Sequence, residues 1–212
     1  MEPKPDSRCV LCNNLIHGTS GEPWDTTIRD NGRFIIAPSK GSLVPGWLLV
    51  VSKRHALCAG AMSDDEFEEL GTSISIACEM VRRNFGEPTV FEHGPCFPGT
   101  PVGCGIDHLH IHVVPLPFSL KQAASALFPA IEWKPLLDLS ETRCLYGSNI
   151  PYALVKGPES GMFWCRPIKD TRQMFRRVIA GMLGVQDQFD YAEFPYSLNA
   201  LQTLDSFQSI TS

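Results

Sequence analysis

An α+β fold, with an antiparallel sheet and a helix packed against it, is what the sequence predicts, and three observations predict it. Short apolar runs bounded by Gly and Pro recur up to Pro115, as strands and turns do. One long segment between them carries apolar residues at helical spacing. A last run, from Asp107 to Pro115, alternates His with aliphatic residues at the period of a strand.

In chain order, Cys9 and Cys12 form a short knuckle, and a polar loop follows. Residues 33–37 and 47–52 read as two strands joined by a turn carrying Pro38, Gly41, Pro45 and Gly46, most simply a hairpin. Ser63 opens a helix, with Glu66 placed for a capping box and Asp64 and Asp65 at its positive end. Phe67, Leu70, Ile74, Ala77 and Val81 then form one apolar stripe. Residues 89–93 are a strand, 94–105 a Pro- and Gly-rich loop, and 107–115 the next strand.

Beyond it the pattern is less regular. Residues 119–127 suit a short helix, and 152–156 and 162–166 a hairpin around Gly157 and Gly161. Asp170 is placed to cap a helix whose core side holds Met174, Val178, Ile179 and Met182, ending at Gly184. A boundary near Phe118 divides residues 1–118, a compact strand and helix pattern, from 119–212, an α/β C-terminal extension.

Composition excludes several classes. The net charge is −5 with Lys and Arg scattered, so no basic stripe exists for duplex nucleic acid. The richest apolar run, residues 43–51, is interrupted by Pro45 and Gly46 and is too short to span a bilayer. The opening residues MEPKPDSRC lack the apolar core of a signal peptide, so a cytoplasmic location is expected. Eight Cys in such a chain argue for reduced thiols, and only Cys9 and Cys12 stand at a metal-ligand spacing.

The chemistry concentrates in His108, His110 and His112. Alternation puts three imidazoles on one face of a strand and Leu109, Ile111 and Val113 on the other. Three readings follow: incidental histidines, a metal site built on imidazole, or covalent catalysis. In the third, the central imidazole attacks phosphorus while its neighbours donate hydrogen bonds to phosphoryl oxygens. Half of the six His fall within five residues, which speaks against accident.

The segment from His108 to Val114 resembles the signature of the histidine-triad family, His-φ-His-φ-His-φ-φ, at every position. Residues 45–55, Pro-Gly-Trp-Leu-Leu-Val-Val-Ser-Lys-Arg-His, are similar to the family's second strand, Pro-Gly-His-x-Leu-Val-φ-Pro-Lys-x-His. The likeness spans about residues 9–117. It implies an antiparallel sheet with the triad strand near its middle and a helix across one face. It also implies that His110 is the nucleophile that becomes nucleotidylated and that His112 bonds phosphate or leaving-group oxygens. In a zinc-containing branch, and in related galactose-1-phosphate uridylyltransferases, two N-terminal Cys join a His after the second strand and the first triad His. Cys9, Cys12, His55 and His108 match that structural zinc set.

The resemblance further implies a substrate that is a nucleotide or a nucleoside-phosphate conjugate. His112, where the uridylyltransferase branch has Gln, favours a hydrolase releasing a nucleoside monophosphate. A nucleotidyltransferase or phosphorylase, and a non-catalytic nucleotide- or RNA-binding module, stand as alternatives. Family members are commonly homodimers, and the extension is one element able to cover the usual dimer surface. Departures fall at Ser39, where many members carry a ribose-binding acid, and at Cys104, where hydrolases often carry a Gln that helps the leaving group. Glu92 or His93 replaces an Asn, which makes His93 either a phosphate contact or a loop-edge residue. In the extension, Arg176 and Arg177 suit either a solvated helix edge or a fork onto phosphate oxygens.

Overall fold

The computed structural model describes residues 9–18, 20–100, 105–158, 161–168 and 172–208. Its strands are β1 (Arg29–Asn31), β2 (Phe34–Pro38), β3 (Leu48–Ser52), β4 (Pro88–Gly94), β5 (His110–Pro115), β6 (Lys134–Leu136), β7 (Tyr152–Lys156) and β8 (Met162–Cys165). They form one antiparallel sheet in the order β1-β2-β3-β5-β4-β7-β8-β6. The triad strand β5 is therefore interior, with Val51 opposite His110 on one side and Phe91 opposite His112 on the other. Strand β7 takes the remaining edge of β4, so strands on both sides of Phe118 share one sheet.

Helix α1 (Asp64–Phe85) packs on one face. Its Leu70, Ala77 and Val81 bury against Leu109, Ile111 and Val113, the aliphatic half of the alternating run. The capping box forms as predicted: Ser63 Oγ accepts from the Glu66 amide, and Glu66 accepts from the Ser63 amide at 2.9 Å. Arg54 forks onto the same carboxylate at 2.6 and 2.7 Å and holds it down to about 2. This ties the chain beside His55 to the start of α1.

The opposite face carries α2 (Leu120–Leu127), capped by Ser119, and α4 (Met174–Met182). Trp47, Phe91, Val114 and Phe175 join them in a second core. The sequence placed Met182 on the core side of α4, but it is the last residue of the helix and is 53% exposed, one turn beyond the buried Val178 and Ile179. The residue before α4 is Gln173, in left-handed conformation. The predicted cap, Asp170, lies outside the described residues, as does part of the turn between β7 and β8. Three further elements had no periodic signal: β1, β6 and the short α3 (Thr142–Gly147).

Helix α5 (Ser197–Gln208) was also unpredicted, and it clamps the turn between β2 and β3. Thr203 Oγ1 accepts from the Gly46 amide at 2.8 Å, and Asn199 donates to the Ser42 carbonyl at 2.7 Å. Among the described residues no helix is long and apolar enough to cross a membrane.

On the α1 side of β4, Glu92 is wholly buried. It accepts from the Ala59 amide at 2.7 Å and the Tyr152 hydroxyl at 2.8 Å, yet burial dominates and pushes its carboxyl up to about 8. The folded state thus favours protonated Glu92, so its contribution is complete below the unfolded value and is lost as pH rises through the folded one. Glu92→Gln, which mimics the neutral acid, is expected to flatten the fall in stability between about pH 4.5 and 8 seen by urea denaturation. Parallel wild-type and variant profiles would refute this.

Candidate functional site: a histidine pair beside a Cys and His cluster

Two structures meet at the N-terminal end of β5. The first is a cluster of Cys9, Cys12, His55 and His108, whose ligand atoms all lie within 4.8 Å of one another. His108 Nδ1 stands 3.3 Å from Cys9 Sγ and 3.4 Å from Cys12 Sγ, and His55 Nδ1 is 3.5 Å from Cys12 Sγ. A tetrahedral ion with S and N bonds of about 2.0–2.3 Å has ligand separations of roughly 3.5 Å. The donor set therefore fits a metal.

Its support is built in. His108 Nε2 donates to the Ser52 carbonyl at 2.7 Å, which leaves the Nδ1 lone pair facing both sulfurs. Burial pushes this imidazole down to about 4, so it is neutral as a ligand must be. The Arg54–Glu66 fork fixes the loop bearing His55. Sequence alternation put His108 on the same face as the other two histidines, and the packing agrees: Leu109 buries on the α1 side, while Cys9 and Cys12 pack on the opposite face beside Val51, the residue paired with His110. His108 itself precedes β5, which begins at His110, and meets the cysteines there.

The second structure is the pair His110 and His112, 5% and 4% exposed, with ring centroids 5.0 Å apart. His110 Nδ1 lies 2.6 Å from the His108 carbonyl. A carbonyl only accepts, so Nδ1 carries a proton, and in the neutral ring this leaves the lone pair on Nε2. His112 is the reverse. Its Nδ1 is 3.0 Å from the indole Nε1 of Trp47, which only donates, so the proton sits on Nε2. Phe91 stacks on the His112 ring at 4.3 Å and 14°. Burial, then His110, His93 and Arg176, hold His112 well below the ordinary histidine range. Its Nε2 is buried and has no hydrogen-bond partner among the described residues.

A cavity of about 180 Å³ opens over this pair, lined also by Ser39, Lys40, Arg176 and Tyr191. Two larger hollows, of about 510 and 900 Å³, run along α1 and contain none of the histidines. Arg176 is 2% exposed, so the solvated-edge reading fails for it. It donates from Nε to the Phe189 carbonyl at 2.9 Å and from its terminal nitrogen to the Gly41 carbonyl. Its guanidinium lies 5.0 Å from the centroid of the Trp47 ring. Gly41 has φ +71°, and a Cβ there would meet Arg176 and Tyr191 at 2.7 and 2.5 Å, so only Gly allows this close approach.

The other sequence candidates fall differently. Ser39 lines the cavity and donates to the Lys40 carbonyl at 3.2 Å. Arg177 stacks on Phe189 at 4.7 Å and is not part of the lining. His93 is buried in β4 between the Phe91, Phe175 and His112 rings rather than at a loop edge. Among the described residues neither of its nitrogens has a hydrogen-bond partner, and burial pushes it down to about 3. Cys104 lies outside the described residues. Trp24, Lys40 and Tyr191 were missed, since they come from segments without periodicity or motif. Trp47 did carry a signal, as the Trp in a Pro-Gly-His-like motif.

No family profile matches the chain. No curated protein matches it either. Among solved structures, it is similar to a hypothetical histidine triad nucleotide-binding protein from Sulfolobus tokodaii strain 7. The identity is 19%, over 50% of this chain and 68% of that one, with a TM-score of 0.40. It is also similar to a Hit-like protein involved in cell-cycle regulation from Bartonella henselae. There the identity is 16%, over 69% of this chain and 99% of that one, with a TM-score of 0.44.

If the Cys and His cluster holds a metal, the Cys9→Ala, Cys12→Ala double variant is expected to lose it from purified protein and to melt several degrees lower. Elemental analysis with thermal melts checks both. Equal metal content in variant and wild type would exclude the cluster as the site.

Proposed function

We propose that this chain is a histidine-triad nucleotide hydrolase that works through a nucleotidyl intermediate on His110. One observation carries the reading: the His110 lone pair and the His112 proton, both on Nε2, are set by opposite hydrogen bonds at the floor of one cavity. A nucleophile and a donor fixed side by side suit in-line attack at an α-phosphate.

In this reading His110 Nε2 attacks phosphorus and His112 Nε2–H bonds the oxygen that gains charge. Arg176 places a buried positive charge on the cavity wall, which favours an anionic substrate. The main chain of β5 and the Trp47 indole hold both rings before substrate arrives, so little reorganisation is needed. Ser39 and Lys40 border the same space and are assigned to the sugar and phosphate. Residues 119–212 act as a specificity element, since they supply Arg176 and Tyr191.

Zinc is the ion proposed for Cys9, Cys12, His55 and His108. With four N and S donors it would have no open position, so it would supply rigidity at the start of β5 and no chemistry.

The test is to incubate the protein with a panel of nucleotides and find by mass spectrometry what attaches to His110. His110→Ala is expected to lower turnover by on the order of 10⁴-fold or more while leaving the melting temperature and metal content unchanged. An active His110→Ala protein would sink the proposal. Tight nucleotide binding with no adduct would instead favour a non-catalytic binding module.

A further inference from the structure

We infer that Trp47 makes His112 a neutral hydrogen-bond donor rather than a proton-transferring acid, and thereby restricts the enzyme to substrates whose leaving group departs as a stable anion. The substrate class is the anhydride, in which an acidic phosphate or carboxylate oxygen is joined to the α-phosphate. The inference rests on the nucleotidyl-His110 reading.

The argument begins with the indole. Its N–H can only donate, and at 3.0 Å from His112 Nδ1 it needs that nitrogen's lone pair. An imidazolium carries a proton on both nitrogens, so a cationic His112 would face N–H against N–H. Trp47 is fully buried and cannot swing aside, because Phe91 meets its ring edge-on at 5.8 Å and the Arg176 guanidinium covers it. The groups facing His112 from the other packed elements add to the effect. His110 on its own strand, His93 on β4 and Arg176 on α4 all disfavour a further positive charge. His112 therefore enters the reaction with a single proton, on Nε2. Giving it up would leave an imidazolate, so the proton can be shared in a hydrogen bond but not transferred.

The consequence for the reaction is direct. The His110 Nε2 lone pair forms an N–P bond while the P–O bond to the leaving group breaks. The electron pair stays on that oxygen, which departs as an anion bonded to His112 Nε2–H, and no proton moves. Water then forms a new O–P bond as the N–P bond breaks and its pair returns to His110, and the excess proton leaves with the phosphate product into solvent. An amine or an alkoxide would need a proton at the moment of departure, and His112, the group that meets the leaving oxygen, has none to give.

The experiment uses aryl esters of adenosine and of uridine 5′-monophosphate with leaving phenols of graded acidity, and the matching phosphoramidates. General acid catalysis contributes about 10²–10⁴-fold where it operates, so wild-type turnover is expected to fall about 100-fold or more from 4-nitrophenyl to phenyl ester. Phosphoramidates should be poorer still. Trp47→Phe removes the donor but keeps a ring beside Arg176, and it frees His112 Nδ1 to take a proton. It is expected to narrow the gap between the two esters by about tenfold or more, the size of a partial acid-catalytic contribution. The wild-type series stands without the variant, so a misfolded Trp47→Phe protein does not remove the test. A shallow wild-type dependence, or efficient phosphoramidate turnover, with nucleotide still attached to His110 would overturn the inference and leave the covalent reading intact. No adduct and no turnover with any ester would overturn both.

Discussion

Strand β5 is held on both sides, by β3 and β4, and that confinement is the constraint on which everything else depends. Its alternate residues have no freedom to exchange faces, because a slip of one position would drive the imidazoles into the α1 core. Leu109, Ile111 and Val113 are fully buried there, and burial of three such side chains is worth about 5 kcal/mol or more in total. His110 and His112 are thereby committed to the opposite face, where the second core would otherwise close over them. The cavity lies on that face, with Arg176 and Tyr191 on its wall. An apolar strand face thus fixes the polar one.

The Cys and His cluster and the histidine pair are linked through His108. Its side chain turns to Cys9 and Cys12, and its carbonyl receives the His110 Nδ1 proton. Anything that holds the His108 ring also aims the carbonyl that fixes the nucleophile's tautomer. A structural ion there would act on His110 by position alone. At the other end of the pair, Trp47 and Phe91 do for His112 what the main chain does for His110, with an indole proton in place of a carbonyl.

Much of this was legible in residues with strict periodicity. Ser63 and Glu66 announced α1, and the alternating His run announced a buried strand with two unlike faces. Cys9, Cys12, His55 and His108 were readable as one set from the family resemblance, and the fold brings them together. Periodicity was silent on α5, β1 and β6, which are short or weakly amphipathic and are shaped by tertiary contacts such as Thr203 with Gly46. It also misplaced Met182, since apolar spacing does not tell that the last residue of a helix lies at the edge of the core. The tautomers could not be read at all. They depend on which group meets each ring nitrogen, and Trp47 and the His108 carbonyl reach theirs only through the sheet's register.

The opposed tautomers of His110 and His112 are the centre of the account, and side-chain nitrogen NMR on uniformly ¹⁵N-labelled protein at neutral pH measures them. The account predicts a protonated Nδ1 with a bare Nε2 for His110, and a bare Nδ1 with a protonated Nε2 for His112. Finding His112 with a proton on Nδ1, whether as the other tautomer or as the cation, would contradict it.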